Sequence, residues 1–246
     1  CGTDLLINHN PELSAYMKSL SDNPKPRPFI NLSDINGRIP IIFHVVGTTS
    51  VQNLITNTLL TGQVAQLNAD FAATNSNIGT IPAVFDNLKA GDIGLQFYIH
   101  QIIRRTTTIS NYSLGMSGTN DNLHPCDESM KYNSSGGSDA IDTSSFLNIW
   151  VCNFSTDGKS IPEFCGMGYF PEYRDLGGCY IDSDGIIILA DSGCIGTGLS
   201  QRTLTHEVGH YLGLYHIWND CDSNTCCSTL DMPCLLYTSP SPRDAT

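Results

Sequence analysis

Residues 205–216, THEVGHYLGLYH, place three histidines and a glutamate within one helical stretch and the turn after it. His206 and His210 are four apart, so on a helix both imidazoles lie on one side and can reach a single ion. Glu207 sits beside them, where it can touch a water on that ion. Gly213 can end the helix in a left-handed conformation, and His216 then approaches from a different direction as third ligand. Three nitrogens and an open fourth position describe a catalytic zinc rather than a closed structural one. The bland alternative, a surface helix with scattered histidines, has to produce all five positions of HExxHxxGxxH from a chain with only 7 histidines. His9, His44, His100 and His124 have no partner spacing and read as core or surface histidines.

A metal helix needs a scaffold. Leu204, Val208, Tyr211 and Leu212 fall at i, i+4, i+7 and i+8, giving the helix an apolar face away from His206 and His210. From Thr58 to Thr74, Leu60, Val64, Leu67 and Phe71 form one helical stripe with Gln63, Gln66 and Asn68 off it, the pattern of a helix packed on a sheet. RIPIIFHVVG (38–47), IGLQFYIHQI (93–102), FLNIWVCNF (146–154) and GIIILAD (185–191) read as strands. The Ser/Gly/Asn-rich run from Asn133 to Ser145 is a loop. Residues 1–37 are polar and punctuated by NPKPRP, the pattern of a pro-segment or linker, with one brief helix between Leu13 and Leu20. The order of strands and helices points to a mixed sheet with helices against it.

HExxHxxGxxH is the metzincin signature, and HEVGHYLGLYHIW, with RIPIIFHVVG, SSGGSDAID, FLNIWVCNF and GMGYFP, resembles the pappalysin-type (cytophagalysin-like) metzincin metalloproteases from about Cys1 to Pro233. The fold class this implies is α+β: a metzincin-like zincin with a mixed twisted sheet, a backing helix and a zinc-site helix, its C-terminal subdomain cut short. The resemblance implies a peptidase acting on protein or peptide substrates, with Zn²⁺ on His206, His210 and His216 and Glu207 as general base. It also suggests that GIIILAD is the cleft edge that pairs with an extended substrate, although an ordinary buried strand fits that stretch equally. The opening CGTD resembles a short pro-segment in which the Cys1 thiolate occupies the open zinc position; a disulfide partner or a lipid-anchored N-terminal Cys are the other readings of Cys1. Arg27 or Arg38 would then be near the activation cut. NDCDSNTCCSTLDMP resembles a calcium-binding stretch, departing from it at Asp231-Met232-Pro233. Asp220, Asp222 and Asp231 offer hard oxygen ligands for Ca²⁺, and a plain acidic loop fits them as well.

Ten cysteines are many for a reducing compartment. Cys126, Cys152, Cys165, Cys179, Cys194, Cys221, Cys226 and Cys227 are expected in disulfides of a secreted protein. The net charge of −12 argues against a nucleic-acid surface, and no run approaches the ~18 apolar residues of a membrane helix. The chain starts without Met or leader, as a processed form or fragment would. Residues 234–246 read differently: CLLYTSPSPRD matches the translation of a sequencing-library adapter, which leaves 38–233 as a catalytic domain incomplete at its C-terminus. The Met-turn and specificity pocket of a metzincin would follow Pro233. Besides a secreted zinc endopeptidase, two other readings stay open: a catalytically silent relative that only binds partners, and a fragment inactive through truncation.

Overall fold

A computed structural model describes residues 10–22, 37–114, 127–155, 164–196, 202–214 and 216. Helix α1 (Pro11–Asp22) starts where the sequence asks for it. Pro11 takes the first helical position, and Asn10 caps the end by accepting from Leu13 N at 3.0 Å. Strand β1 (Gly37–Gly47) leads into helices α2 (Thr49–Leu54) and α3 (Asn57–Phe71). Thr56 caps α3 through its side chain, which accepts from Leu59 N. The chain continues through β2 (Leu95–Thr106), β3 (Tyr112–Ser113), β4 (Leu147–Cys152), β5 (Phe154–Ser155), β6 (Gly166–Gly168), α4 (Cys179–Asp182), β7 (Ile186–Leu189) and α5 (Thr203–Tyr211).

Among the described residues the main sheet has five strands in the order β2-β1-β4-β7-β6; β3 and β5 pair separately. The β2/β1, β1/β4 and β4/β7 pairs are parallel, whereas β6 runs antiparallel to β7. The expected mixed sheet with a backing helix and a metal helix is therefore present. Every residue of β4 and β7 is buried, as parallel strands covered on both faces require. Alternate residues divide the core. Ile41, Phe43, Val45, Ile149, Val151, Ile186 and Ile188 meet Leu60, Val64, Leu67 and Phe71 of α3 and Leu204 and Val208 of α5. Trp150, Cys152, Ile187 and Leu189 face the other way, toward Tyr112, Tyr169, Phe170, Tyr173 and Leu13 of α1.

The structure decides one open reading and corrects two expectations. GIIILAD is the ordinary buried strand and not the cleft edge, because β7 lies between β4 and β6; the end strand on that side is β6, beside α5. Cys152 is a free, buried cysteine rather than a disulfide partner, because it points from the centre of the sheet into the core. Burial pushes its thiol pKa up. Gln63 lies off the apolar stripe yet is buried, its amide donating to the Gly196 carbonyl. Asn68, also off the stripe, binds both Phe97 N and Phe97 O, tying α3 to β2. Of the other expected disulfide partners, Cys165 pairs with Cys194 and Cys179 is disulfide-bonded. Cys126, Cys221, Cys226 and Cys227 lie outside the described residues.

Candidate metal centre

Helix α5 buries Leu204 and Val208 in the sheet-side core, with Tyr211 and Leu212 packed at its margin. That face fixes the helix rotation and turns His206 and His210 to the other side. At the C-terminus Gly213 has φ +86°, its N–H donates to His210 O, and the Leu214 N–H donates to Gly209 O. These two bonds form a Schellman turn, which reverses the chain sharply enough to return His216 to the helix.

The three imidazoles converge as the spacing predicts. His206 Nε2 lies 2.9 Å from His216 Nε2 and 3.1 Å from His210 Nε2, and the remaining pair is 3.0 Å apart. Ligand nitrogens on a tetrahedral zinc with bonds of about 2.05 Å stand roughly 3.3 Å from one another, so an ion seated just above this triangle meets all three. The three contacts cannot all be hydrogen bonds between neutral imidazoles, since each Nε2 is either donor or acceptor and at least one pair must be alike. The His210 ring is fully buried and packs edge-on against Phe170. Its Nδ1 donates to Leu214 O at 2.7 Å, which leaves Nε2 as a lone pair aimed at the other two histidines. The residues present fit zinc. Among the described residues this is the one group of three that could hold a metal ion.

Glu207 is buried beside the triad, against β6. A Cβ placed on Gly166 would lie 2.8 Å from Glu207 Cγ and 3.0 Å from Glu207 Oε1; one on Gly168 would lie 2.5 Å from Glu207 O. The two glycines thus let the end strand lie directly on the glutamate. Of the residues expected at the site, His206, Glu207, His210 and His216 are brought together; Cys1, Asp220, Asp222 and Asp231 lie outside the described residues. Others escaped sequence reading. At the C-terminal end of α5, Tyr211 donates to Asp184, which also pairs with Arg174. Burial raises the Asp184 pKa, with Arg174 opposing, and burial followed by the nearby Asp184 raises that of Tyr211. At the N-terminal end, Thr205 and Arg202 reach Asp70 of α3.

No protein-family model matches the chain. It is 26% identical over 225 residues to an extracellular metalloprotease of Arthroderma benhamiae, covering 89% of this chain and 60% of that protein. The chain therefore spans about three fifths of the length of that curated relative. In structure it resembles mature mirolysin of Tannerella forsythia in complex with a cleaved peptide, with 30% identity, a TM-score of 0.62, and 78% of this chain and 68% of that one covered. A promirolysin mutant from the same organism is 27% identical with a TM-score of 0.69, covering 89% and 70%. By sequence identity and fold together, the chain belongs to the metalloprotease family that includes mirolysin.

Proposed function

We propose that the chain is the catalytic part of a secreted, zinc-dependent endopeptidase of the pappalysin type, cutting peptide bonds in proteins or peptides. The observation that carries this reading is the convergence of three histidine Nε2 atoms with Glu207 beside them. A zinc ion held there supplies Lewis acidity, polarising the scissile carbonyl and making water acidic enough to lose a proton near neutral pH. Glu207 takes that proton as general base and hands it to the leaving amine. The hydrogen bond from His210 Nδ1 to Leu214 O holds the ring in its ligating tautomer. A peptide laid along β6 would pass over Glu207, and the peptide bound by mature mirolysin supports that class of substrate.

Residues 1–37 are read as a pro-segment and linker. In support, the share of this chain covered rises from 78% against mature mirolysin to 89% against the pro-form mutant. Leu13 of α1 is buried against the aromatic core, while Asn10 donates to Tyr180 and Tyr16 to Asp175. Latency through Cys1, calcium at Asp220, Asp222 and Asp231, and catalytic-domain bounds of 38–233 complete the proposal. Secretion is supported by the disulfides and by the extracellular relatives; no helix among the described residues is long and apolar enough to cross a membrane.

The deciding experiment is Glu207→Gln against wild type on casein, with a chelator control. Chelator-sensitive cleavage by wild type, abolished in a variant that still binds zinc, is the expected result. Cleavage by the variant at the wild-type rate would remove Glu207 from the mechanism. Zinc-loaded wild type that binds casein without cutting it would favour the silent-relative reading.

A further inference from the structure

Resting on the reading of the three histidines as a zinc site, we propose that Asp70 is a positioning residue for the metal centre, acting through Thr205 on the helix turn that presents His206. Asp70 is the penultimate residue of α3, 135 positions from Thr205, and its side chain is fully buried. Its Oδ2 accepts from Thr205 Oγ1 at 2.8 Å. Its Oδ1 lies 3.1 Å from the Arg202 guanidinium and accepts from the Gln66 and Asn75 amides at 2.9 and 2.8 Å. Arg202 extends the same link to Asn77 Oδ1 at 2.7 Å.

This carboxylate holds both ends of the first turn of α5. The Arg202 carbonyl accepts the backbone N–H of His206, while the Arg202 side chain pairs with Asp70. Thr205, the residue before His206, bonds the other oxygen of the same carboxylate. Arg202, the N-cap residue, makes no side-chain cap bond to the helix, so the polar anchorage of this turn comes from the backing helix. The apolar contacts of Leu204 and Val208 set which face is buried, but they resist sliding along the helix axis only weakly. A bidentate carboxylate resists both sliding and rotation. The donor atoms of His206, His210 and His216 stand about 3 Å apart, so a displacement of a few tenths of an ångström in the first turn disturbs ligation directly. Groups that orient metal ligands through hydrogen bonds typically change metal affinity by about 10–100-fold when lost.

The test uses the full chain and does not depend on catalysis. Zinc affinity is measured by competition with a chromophoric chelator, and the visible spectrum of the Co²⁺-substituted protein reports ligand geometry; Tm is followed alongside. Thr205→Val keeps the side-chain shape and removes the hydroxyl. It is expected to weaken zinc binding about 10-fold and to alter the Co²⁺ spectrum, and Thr205→Ser is expected to restore both. Asp70→Asn is expected to lose more; should that variant fail to fold, the Thr205 pair carries the test. A merely structural role would lower Tm and leave metal affinity and spectrum at wild-type values, which overturns the proposal. Wild type that binds no zinc overturns the metal reading itself, and is distinguished by the control before any variant is compared.

Discussion

The two faces of the sheet are built by different means. Under α3 and α5, Ile41, Phe43, Val45, Ile149, Val151, Ile186 and Ile188 pack almost wholly as aliphatic shape. On the opposite face, Trp150, Tyr169, Phe170 and Tyr173 surround charge. Lys131 Nζ lies 2.7 Å from Glu128 Oε2, donates to Ser183 O, and sits 3.8 Å above the Tyr169 ring centre. The Tyr169 hydroxyl donates to the same glutamate oxygen, and both charged side chains are within 1% of complete burial. His44 lies on this face too, stacked on Trp150. The first face draws its stability from area and tolerates exchanges that conserve volume. The second depends on directional contacts, each of which exposes a buried charge or donor if its partner is removed.

The largest break in that contrast comes from Lys131→Met. Removing the ammonium leaves Glu128 buried without its counter-charge, at an expected cost of about 3–5 kcal/mol. Urea unfolding at pH 7 measures it. Pairing the change with Glu128→Gln should recover most of the loss, because the uncompensated charge goes with it. A single substitution costing under about 1 kcal/mol would mean that water reaches the pair and that the two faces do not differ as argued. Burial pushes the Lys131 pKa below the ordinary lysine value, with Glu128 opposing, consistent with an ammonium that depends on its partner.

His44 gives the next effect. Its Nε2 donates to Asn148 Oδ1, and its Nδ1 accepts from Ser138 Oγ; the Ile141 N–H donates to that same Asn148 oxygen, which identifies it as the acceptor. This is the pairing that a neutral ring makes. Burial lowers its pKa from 6.5 to about 4, with the Asn148 hydrogen bond and the charge of Asp139 opposing. Because the folded value is the lower one, its contribution is complete above pH 6.5 and is lost as pH falls toward 4. At that end about 3 kcal/mol is gone. Unfolding free energy measured between pH 7 and pH 4 should fall by that order in wild type and by clearly less in His44→Gln. Equal slopes would remove His44 from the acid response.

The aliphatic face was the legible one. β1, β4 and β7 announce themselves as apolar runs, and the Leu60–Phe71 stripe repeats with helical period, because in both cases burial is a local pattern. The convergence of the three histidines with Glu207 beside them was legible for the same reason: spacing of four on a helix and a glycine at its end are local geometry. The polar contacts were not. Nothing near Asp70 in sequence points to Thr205, and nothing near Lys131 announces that Tyr169 and Trp150 fold over it. Cys152 read as a disulfide partner because composition cannot tell which cysteine the centre of a sheet encloses. GIIILAD stayed open between a cleft edge and a buried strand because strand order is set by long-range pairing. β6 was missed as a strand altogether, since Gly-Met-Gly is short and glycine disfavours strands.

That missed strand is where the two faces meet the site. Met167 points into the aromatic core, while Gly166 and Gly168 face α5. A methyl group on Gly166 would meet Glu207 Cγ at 2.8 Å and Thr203 Cγ2 at 2.9 Å, closer than carbon atoms pack. Thr203 is on the helix wall and Glu207 is buried, so the strain of Gly166→Ala falls on the glutamate side chain or on the spacing between β6 and α5. Overpacking of this kind costs about 1–3 kcal/mol, the smallest of the three stability effects. Its functional consequence should be selective, because the atoms nearest a Cβ on Gly166 belong to Glu207 and Thr203 rather than to a histidine. The variant is expected to bind zinc as wild type does while kcat falls by up to about 100-fold, the loss that a misplaced catalytic group can produce. Zinc content by metal analysis and steady-state peptide cleavage separate the two quantities. If kcat is unchanged, the strand has room to yield, and the close approach of β6 to Glu207 is packing without consequence for the chemistry.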